Sequence, residues 1–385
     1  MSAAPLASTY GYLQRAILPA YAKKAAALVV LPAKLTDTVT YQYIQEIEKN
    51  NQKTVYYLTV EQTTHGKYRI NLSSSNVYER IDLNYVWPNE KNVLWQDLQA
   101  AGFEHIKLHA LSAWPLPIIQ GLLALNVPYQ MVLHDYSTFC LQNTLLQTTL
   151  PCRSTKPDDA ACIACINHYG CKNTLHSHPK VLRDFSKQLL QGAEDITLPS
   201  TEAVQRHRAY FPDISFRIDR STMDYTLGLN TEKTPRLANG DTLHIAVFFA
   251  ATPEQGFFKL LELSRLLAHK RMNVELVVFG ETWDNQALLA TGKVWLAGSV
   301  AKEELADLVK LHGCTLSLHL ALWPEIDGLA WHMARLSKLP LIAPTVGIYK
   351  ELLDESLGDI RLSPDKTVDE WLQVIAPNPP LGAAA

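Results

Sequence analysis

The sequence predicts an α/β protein of two doubly wound halves, and three observations carry that prediction. Continuous apolar runs bounded by turn residues alternate with helix-period segments along most of the chain. The length of 385 residues suits two domains at roughly 100–200 residues each, and each can bury its own core. Between Phe211 and Asp241 the periodicity lapses into a stretch rich in Thr, Asn, Gly and Pro, which reads as the boundary. One large continuous sheet is the alternative.

In the first half the strand candidates are Ala27–Pro32, Val55–Val60, His105–Leu108, Tyr129–His134 and Asp195–Pro199. In the second they are His244–Ala250, Val274–Gly280, Lys293–Ala297, Thr315–Leu320 and Leu339–Ala343. Runs apolar at successive positions suit strands covered on both faces by crossover helices. Phe257–His269 and Lys302–Leu311 are amphipathic helix candidates, the latter stopped by Gly313. The alternating order predicts one domain over residues 1–215 and a second over 240–376. The Pro/Gly/Ala-rich end, 377–385, reads as a linker or disordered tail.

Composition narrows the function classes. With 35 basic and 38 acidic residues and a net charge of -3, no broad field for nucleic acid or a membrane surface is expected. The start shows no compact apolar segment behind a basic one, so no secretory signal is read. Ala25–Pro32 and Leu339–Pro344 are far shorter than the roughly 20 residues needed to span a bilayer. The expectation is a cytoplasmic protein, peripheral at the inner membrane only through a partner. In a reducing compartment disulfides are the weaker reading of the six cysteines.

The segment WPEIDGLAWHMARLSKLPLIAPTVGIYKELL, from Trp323 to Leu353, together with Val274–Glu281 and Lys293–Val309, resembles the nucleotide-sugar domain of GT-B glycosyltransferases, most closely the retaining family 4 group. Its marks are Pro324-Glu325, Ala334, the run Leu339 to Ala343, Gly347 and Glu351. In the first half, His134-Asp135-Tyr136 running into Cys140, then Cys152 and ACIAC, resembles bacterial transferases associated with O-antigen and other surface polysaccharides (lipopolysaccharide among them). The resemblance spans roughly residues 105–355. It implies two facing Rossmann-like domains with an interdomain cleft at their strand carboxyl ends, the first carrying a Cys-rich insertion over 136–180.

Transfer from a sugar nucleotide requires that the diphosphate be held, the sugar oriented and the leaving charge neutralised. The resemblance assigns the donor to Glu325 and the chain Ile326, Asp327, Gly328 and Leu329. There a helix N-terminus presents backbone N–H groups and Gly328 permits close approach. A surface cap is the bland reading of Glu325. Two departures stand out. The family's second glutamate falls on Met333, which cannot accept ribose hydrogen bonds. Its phosphate-binding Lys-Gly pair falls on Gln255-Gly256, where a neutral amide replaces a charged contact. Lys259, one turn on, either supplies that charge or is simply solvated. The family's Gly-Gly loop has no counterpart, since no glycine lies between Ala25 and Gln45. His134 and Asp135, at a strand end, match the pair that meets the donor sugar, or else form a structural hydrogen-bond pair. The mechanism implied is metal-independent front-face displacement with retention.

Cys140, Cys152, Cys162 and Cys165 have the spacing C-x11-C-x9-C-x2-C, followed by Cys171. A structural zinc would suit four such thiolates and supply folding energy to a polar segment. His168, His176, His178 and Cys171 are substitute ligands, and unconnected thiols or an iron–sulfur centre are the alternatives. Cys314 reads as a buried apolar residue. Trp323 and Trp331 flank the donor loop, either as core or stacked on a ligand.

The function expected is hexosyl-type transfer from a nucleotide-sugar donor to a bacterial polysaccharide or lipid-linked glycan, with other transferase modules as further partners. The alternative, favoured by Gln255 and Met333, is a catalytically degenerate GT-B module that binds glycan or partners. A GT-B epimerase would need carboxylate pairs around His134 that the sequence does not place.

Overall fold

The computed structural model describes Arg15, Leu18 and residues 27–31, 55–63, 67–75, 81–109, 111–112, 114–147, 150–152, 156–220, 242–250 and 252–376. The expectations on the stretch 32–45, on most of the boundary at 221–241 and on the tail at 377–385 lie outside these residues. By its contacts the chain divides into two compact units. The first takes residues 1–143, 156–198 and 204–219, and the second takes 144–155, 199–203 and 220–385.

In the first unit the strands are β1 (Ala27–Val30), β2 (Val55–Gln62), β3 (Tyr68–Ser74), β4 (Asp82–Trp87), β5 (His105–His109) and β6 (Tyr129–Val132). After the hairpin strands β7 (Leu146–Gln147) and β8 (Leu150–Pro151), which belong to the second unit, come β9 (Asp195–Leu198) and β10 (Arg217–Ile218). The sheet order is β10-β9-β6-β5-β1-β2-β3-β4. Pairing is parallel from β10 to β2 and antiparallel for β2-β3 and β3-β4. The sheet is therefore parallel except at its β2-β3-β4 edge. β3 and β4 read YRINLSS and DLNYVW, alternating buried and exposed positions instead of running apolar. A strand with one wetted face carries that period and leaves no continuous apolar run. The helices are α1 (Lys91–Ala101), α2 (Leu116–Leu123), α3 (Asp159–Tyr169), α4 (Pro179–Gly192) and α5 (Thr201–Tyr210), whose first three residues belong to the second unit.

The second unit holds β11 (Leu243–Ala250), β12 (Val274–Thr282), β13 (Val294–Gly298), β14 (Cys314–Leu318), β15 (Leu341–Pro344) and β16 (Ile360–Leu362). Their order is β13-β12-β11-β14-β15-β16, parallel throughout. Its helices are α6 (Phe257–His269), α7 (Asn285–Leu289), α8 (Lys302–Leu311), α9 (Leu329–Leu336), α10 (Tyr349–Leu352) and α11 (Val368–Ile375). Ile245, Val247, Leu276 and Val278 from the central strands pack with Leu260, Leu263 and Trp371 from α6 and α11 in one buried cluster. Cys314, the first residue of β14, is buried, as the sequence implied, and burial pushes its thiol up to about 12. β14 stops at Leu318 and β6 at Val132, so His319 and His134 stand in the loops just beyond their strands.

Candidate functional site

In the second unit three loops meet at the carboxyl ends of β11, β14 and β15. Two glycines let them touch. Gly347 has φ +61, and a Cβ on it would lie 2.4 Å from the Glu325 carbonyl oxygen and 2.6 Å from the Glu325 nitrogen. The contact is sealed by Ile348 N–H donating to Glu325 O at 2.9 Å. Gly256, with φ +93, would place a Cβ 2.2 Å from the Leu320 carbonyl oxygen, and Leu322 N–H donates to Glu254 O at 2.9 Å. Both positions demand glycine for conformation and for space.

Glu325 is buried, not a surface cap. Its Oε2 accepts from Tyr349 OH at 2.8 Å, and its Oε1 lies 3.1 Å from His319 Nε2. That second contact has ion-pair distance without hydrogen-bond alignment, because neither nitrogen of the His319 ring finds a hydrogen-bond partner. Burial, and then the Glu325 carboxylate, hold the Tyr349 phenol well above its ordinary range, while the Ala330 backbone N–H works the other way. A neutral, donating phenol is therefore fixed between Glu325 and the first turn of α9.

Gly328, at φ +63, opens α9 in the left-handed conformation with no side-chain cap. The first N–H groups of such a helix have no partner inside it and favour negative charge. Around them Ile326 is fully buried and Leu329 and Met333 nearly so, whereas Asp327 is half-buried. Met333, where the family pattern has a carboxylate, thus belongs to the apolar side of α9.

The remaining donor candidates are placed as follows. Gln255 lies in the turn before α6, its N–H donating to Thr252 O at 3.1 Å. Lys259 is committed elsewhere: its Nζ donates to Pro364 O at 2.9 Å and lies 4.9 Å above the Trp371 ring. Burial holds its ammonium below the usual lysine range. Lys259 is thus half-buried and engaged through at least one of its ammonium hydrogens. Glu351 is also engaged, accepting from Ser200 Oγ and from the N–H groups of Thr201 and Glu202, each at 3.2 Å, and pairing with Arg220.

In the first unit His134 follows β6, and its Nε2 lies 3.0 Å from Nδ1 of His109, the last residue of β5. The rings are nearly parallel, at 19°. Asp135 turns the chain by accepting from Ser137 N–H at 2.8 Å. Sequence reading missed His109. The signal was available only in hindsight, as a histidine ending the strand that neighbours the one before His134.

The expected thiolate shell is not gathered. Among the described residues no three of His, Cys, Asp and Glu are grouped to hold a metal. Cys162 and Cys165 lie on α3, and Cys152 follows the β7–β8 hairpin of the second unit. The Arg183 guanidinium donates to Cys162 Sγ at 3.1 Å and to Asp159 at 2.5 Å. None of the six cysteines forms a disulfide.

No protein-family model matches the chain, and no curated protein matches it in sequence. Solved structures do match. HepE of Anabaena in complex with UDP-glucose is 13% identical, with a TM-score of 0.52 over 91% of this chain and 89% of that one. The fold is GT-B. A glycosyltransferase from Rickettsia africae ESF-5 is 12% identical over 91% of this chain and 87% of its own, with a TM-score of 0.48. The lipopolysaccharide outer core galactosyltransferase WaaB is 11% identical over 91% and 90%, with a TM-score of 0.44. At these identities the likeness is one of GT-B fold alone. No helix among the described residues is long and apolar enough to cross a membrane.

Proposed function

We propose that the protein is a glycosyltransferase that moves a hexosyl group from a nucleotide-sugar donor to a glycan, with retention. The observation that carries this reading is the loop from Glu325 to Gly328 in a chain of GT-B fold. It sits at the carboxyl ends of parallel strands, where α/β sheets take ligands, and opens an uncapped helix suited to phosphate or sugar hydroxyls. Asp327, Gly328 and Gly256 would line the donor through their backbones, with Glu325 and Tyr349 holding the loop's shape. His134 would meet the sugar, and the leaving phosphate would take the acceptor's proton, so no separate catalytic base is needed; the transfer proposed is metal-independent. The acceptor proposed is a bacterial polysaccharide or lipid-linked glycan.

HepE was solved with UDP-glucose, which makes it the first donor to try beside UDP, GDP and dTDP. Calorimetric titration should give a dissociation constant below millimolar for one nucleotide, weakened at least tenfold in Gly328→Ala. No binding by any of them would discard the transferase reading and leave the degenerate GT-B module that Gln255, Met333 and the engaged Lys259 favour. Structural zinc at Cys140, Cys152, Cys162 and Cys165 is a separate proposal, and it requires those thiols to leave the placement described above. Elemental analysis of protein purified without added zinc decides it; well under one zinc per folded chain rejects it.

A further inference from the structure

We infer that His109 is a positioning residue for His134, engaging one nitrogen of that ring and so fixing its plane at the transfer site. The inference rests on the reading that His134 belongs to the transfer site. Parallel register sets His109 opposite Val132, and His134 lies two residues further on. His109 is 3% exposed and ends a central strand, so its ring is held by packing.

The Nδ1 to Nε2 distance of 3.0 Å fixes how many protons lie between the rings. Two facing N–H groups would drive their hydrogens together, and two bare nitrogens would set lone pair against lone pair. One proton is therefore shared, whichever ring formally carries it. In both tautomers His134 Nε2 is engaged by His109. A histidine whose partner fixes its tautomer and ring plane follows the logic of the carboxylate that orients the base in a catalytic triad. Here the orienting group is a second imidazole, buried one strand away.

The geometry names the atom involved, which gives a sharp test. An Asn amide can occupy the place of a histidine Nδ1, whereas a Gln amide reaches the place of Nε2. Full-length wild type, H109A, H109N and H109Q are compared by 15N shifts of the His134 ring and by steady-state transfer from UDP-glucose, or from the sugar of whichever nucleotide binds. We expect H109A and H109Q to move the His134 Nε2 signal and lower kcat about 10–100-fold, the usual range for an orienting partner, with KM within about twofold. H109N should keep the wild-type shift and recover kcat to within about threefold. Unchanged His134 shifts in H109A, or equal kcat for Asn and Gln variants, would overturn the inference. A wild-type protein that binds nucleotide sugar but transfers nothing overturns the catalytic reading, whereas the shifts judge the pair by themselves.

Discussion

The loop that opens at Glu325 and the cysteine segment that follows His134 both come after the carboxyl end of a parallel strand, yet they are held to different degrees by packing. The first is buried. Pro324, Glu325 and Ile326 are enclosed, and glycines bring neighbouring backbones into contact with the loops they support. The second packs through Tyr136, Phe139, Leu141, Leu146 and Leu175, but its helix is held by polar bonds. Helix α3 buries no residue at all, and its surroundings are tied by Asn173, which donates to Ser137 O at 2.8 Å and accepts from Leu175 N–H at 2.9 Å. Arg183 adds its bonds to Cys162 and Asp159 and stacks 4.7 Å above Tyr210. The difference teaches which loop has its shape before any ligand arrives. Packing specifies one backbone path, because every displaced atom meets another. A polar web in water specifies less, because water competes for each bond.

The largest expected effect falls on the packed loop. Gly347→Ala puts a Cβ into the Glu325 backbone at a left-handed position, so a loss of about 3 kcal/mol or more is expected in chemical denaturation. A loss under about 1 kcal/mol would mean that the loop yields, and the contrast would collapse. Asn173→Ala removes bonds that no apolar contact replaces, and should cost about 1–2 kcal/mol. Limited proteolysis should then cut between residues 140 and 178 sooner than in wild type, with nucleotide affinity unchanged; a fall in affinity would show that the two regions are not independent.

Lys259→Met is the smallest. The stem keeps its packing on Trp371, so stability near neutral pH should change by less than about 1 kcal/mol, and nucleotide affinity should hold. The sign of its pH dependence is fixed. Burial lowers the folded pKa of Lys259, so the unfolded chain binds more protons between that value and the usual lysine value. Wild-type stability therefore gains from this group as pH rises through that alkaline window, and the variant loses the gain. Matched denaturation series from neutral to alkaline pH measure the difference.

Much of the fold was legible in the chain. Phe257–His269 and Lys302–Leu311 form helices with the bounds their apolar spacing implies. Ten apolar runs lie on ten strands, because a strand covered on both faces must be apolar at successive positions. β3 and β4 escaped that test through their alternation, and β10 and β16 through their length of two and three residues. At the candidate site the motif around Glu325 could be read, along with the loss of charge at Gln255 and Met333. What the side chains touch could not. Lys259 looked solvated or ready for phosphate, and the fold set it against Trp371 of α11 and the Pro364 carbonyl, more than 100 residues on. The four cysteines looked like one shell, and the bond from Arg183 to Cys162 could not be read from their spacing.

The sequence by itself determined the order of strands and helices, the strands that run apolar and the loop that opens with Glu325, because periodicity and turn chemistry are local properties. Only the tertiary structure decided that Gly347 and Gly256 are cradles, that Tyr349 stands neutral between Glu325 and α9, and that His109 shares a proton with His134. Those facts depend on which strands lie side by side and in what register, and a contact between residues 25 apart leaves no trace in the composition around either one.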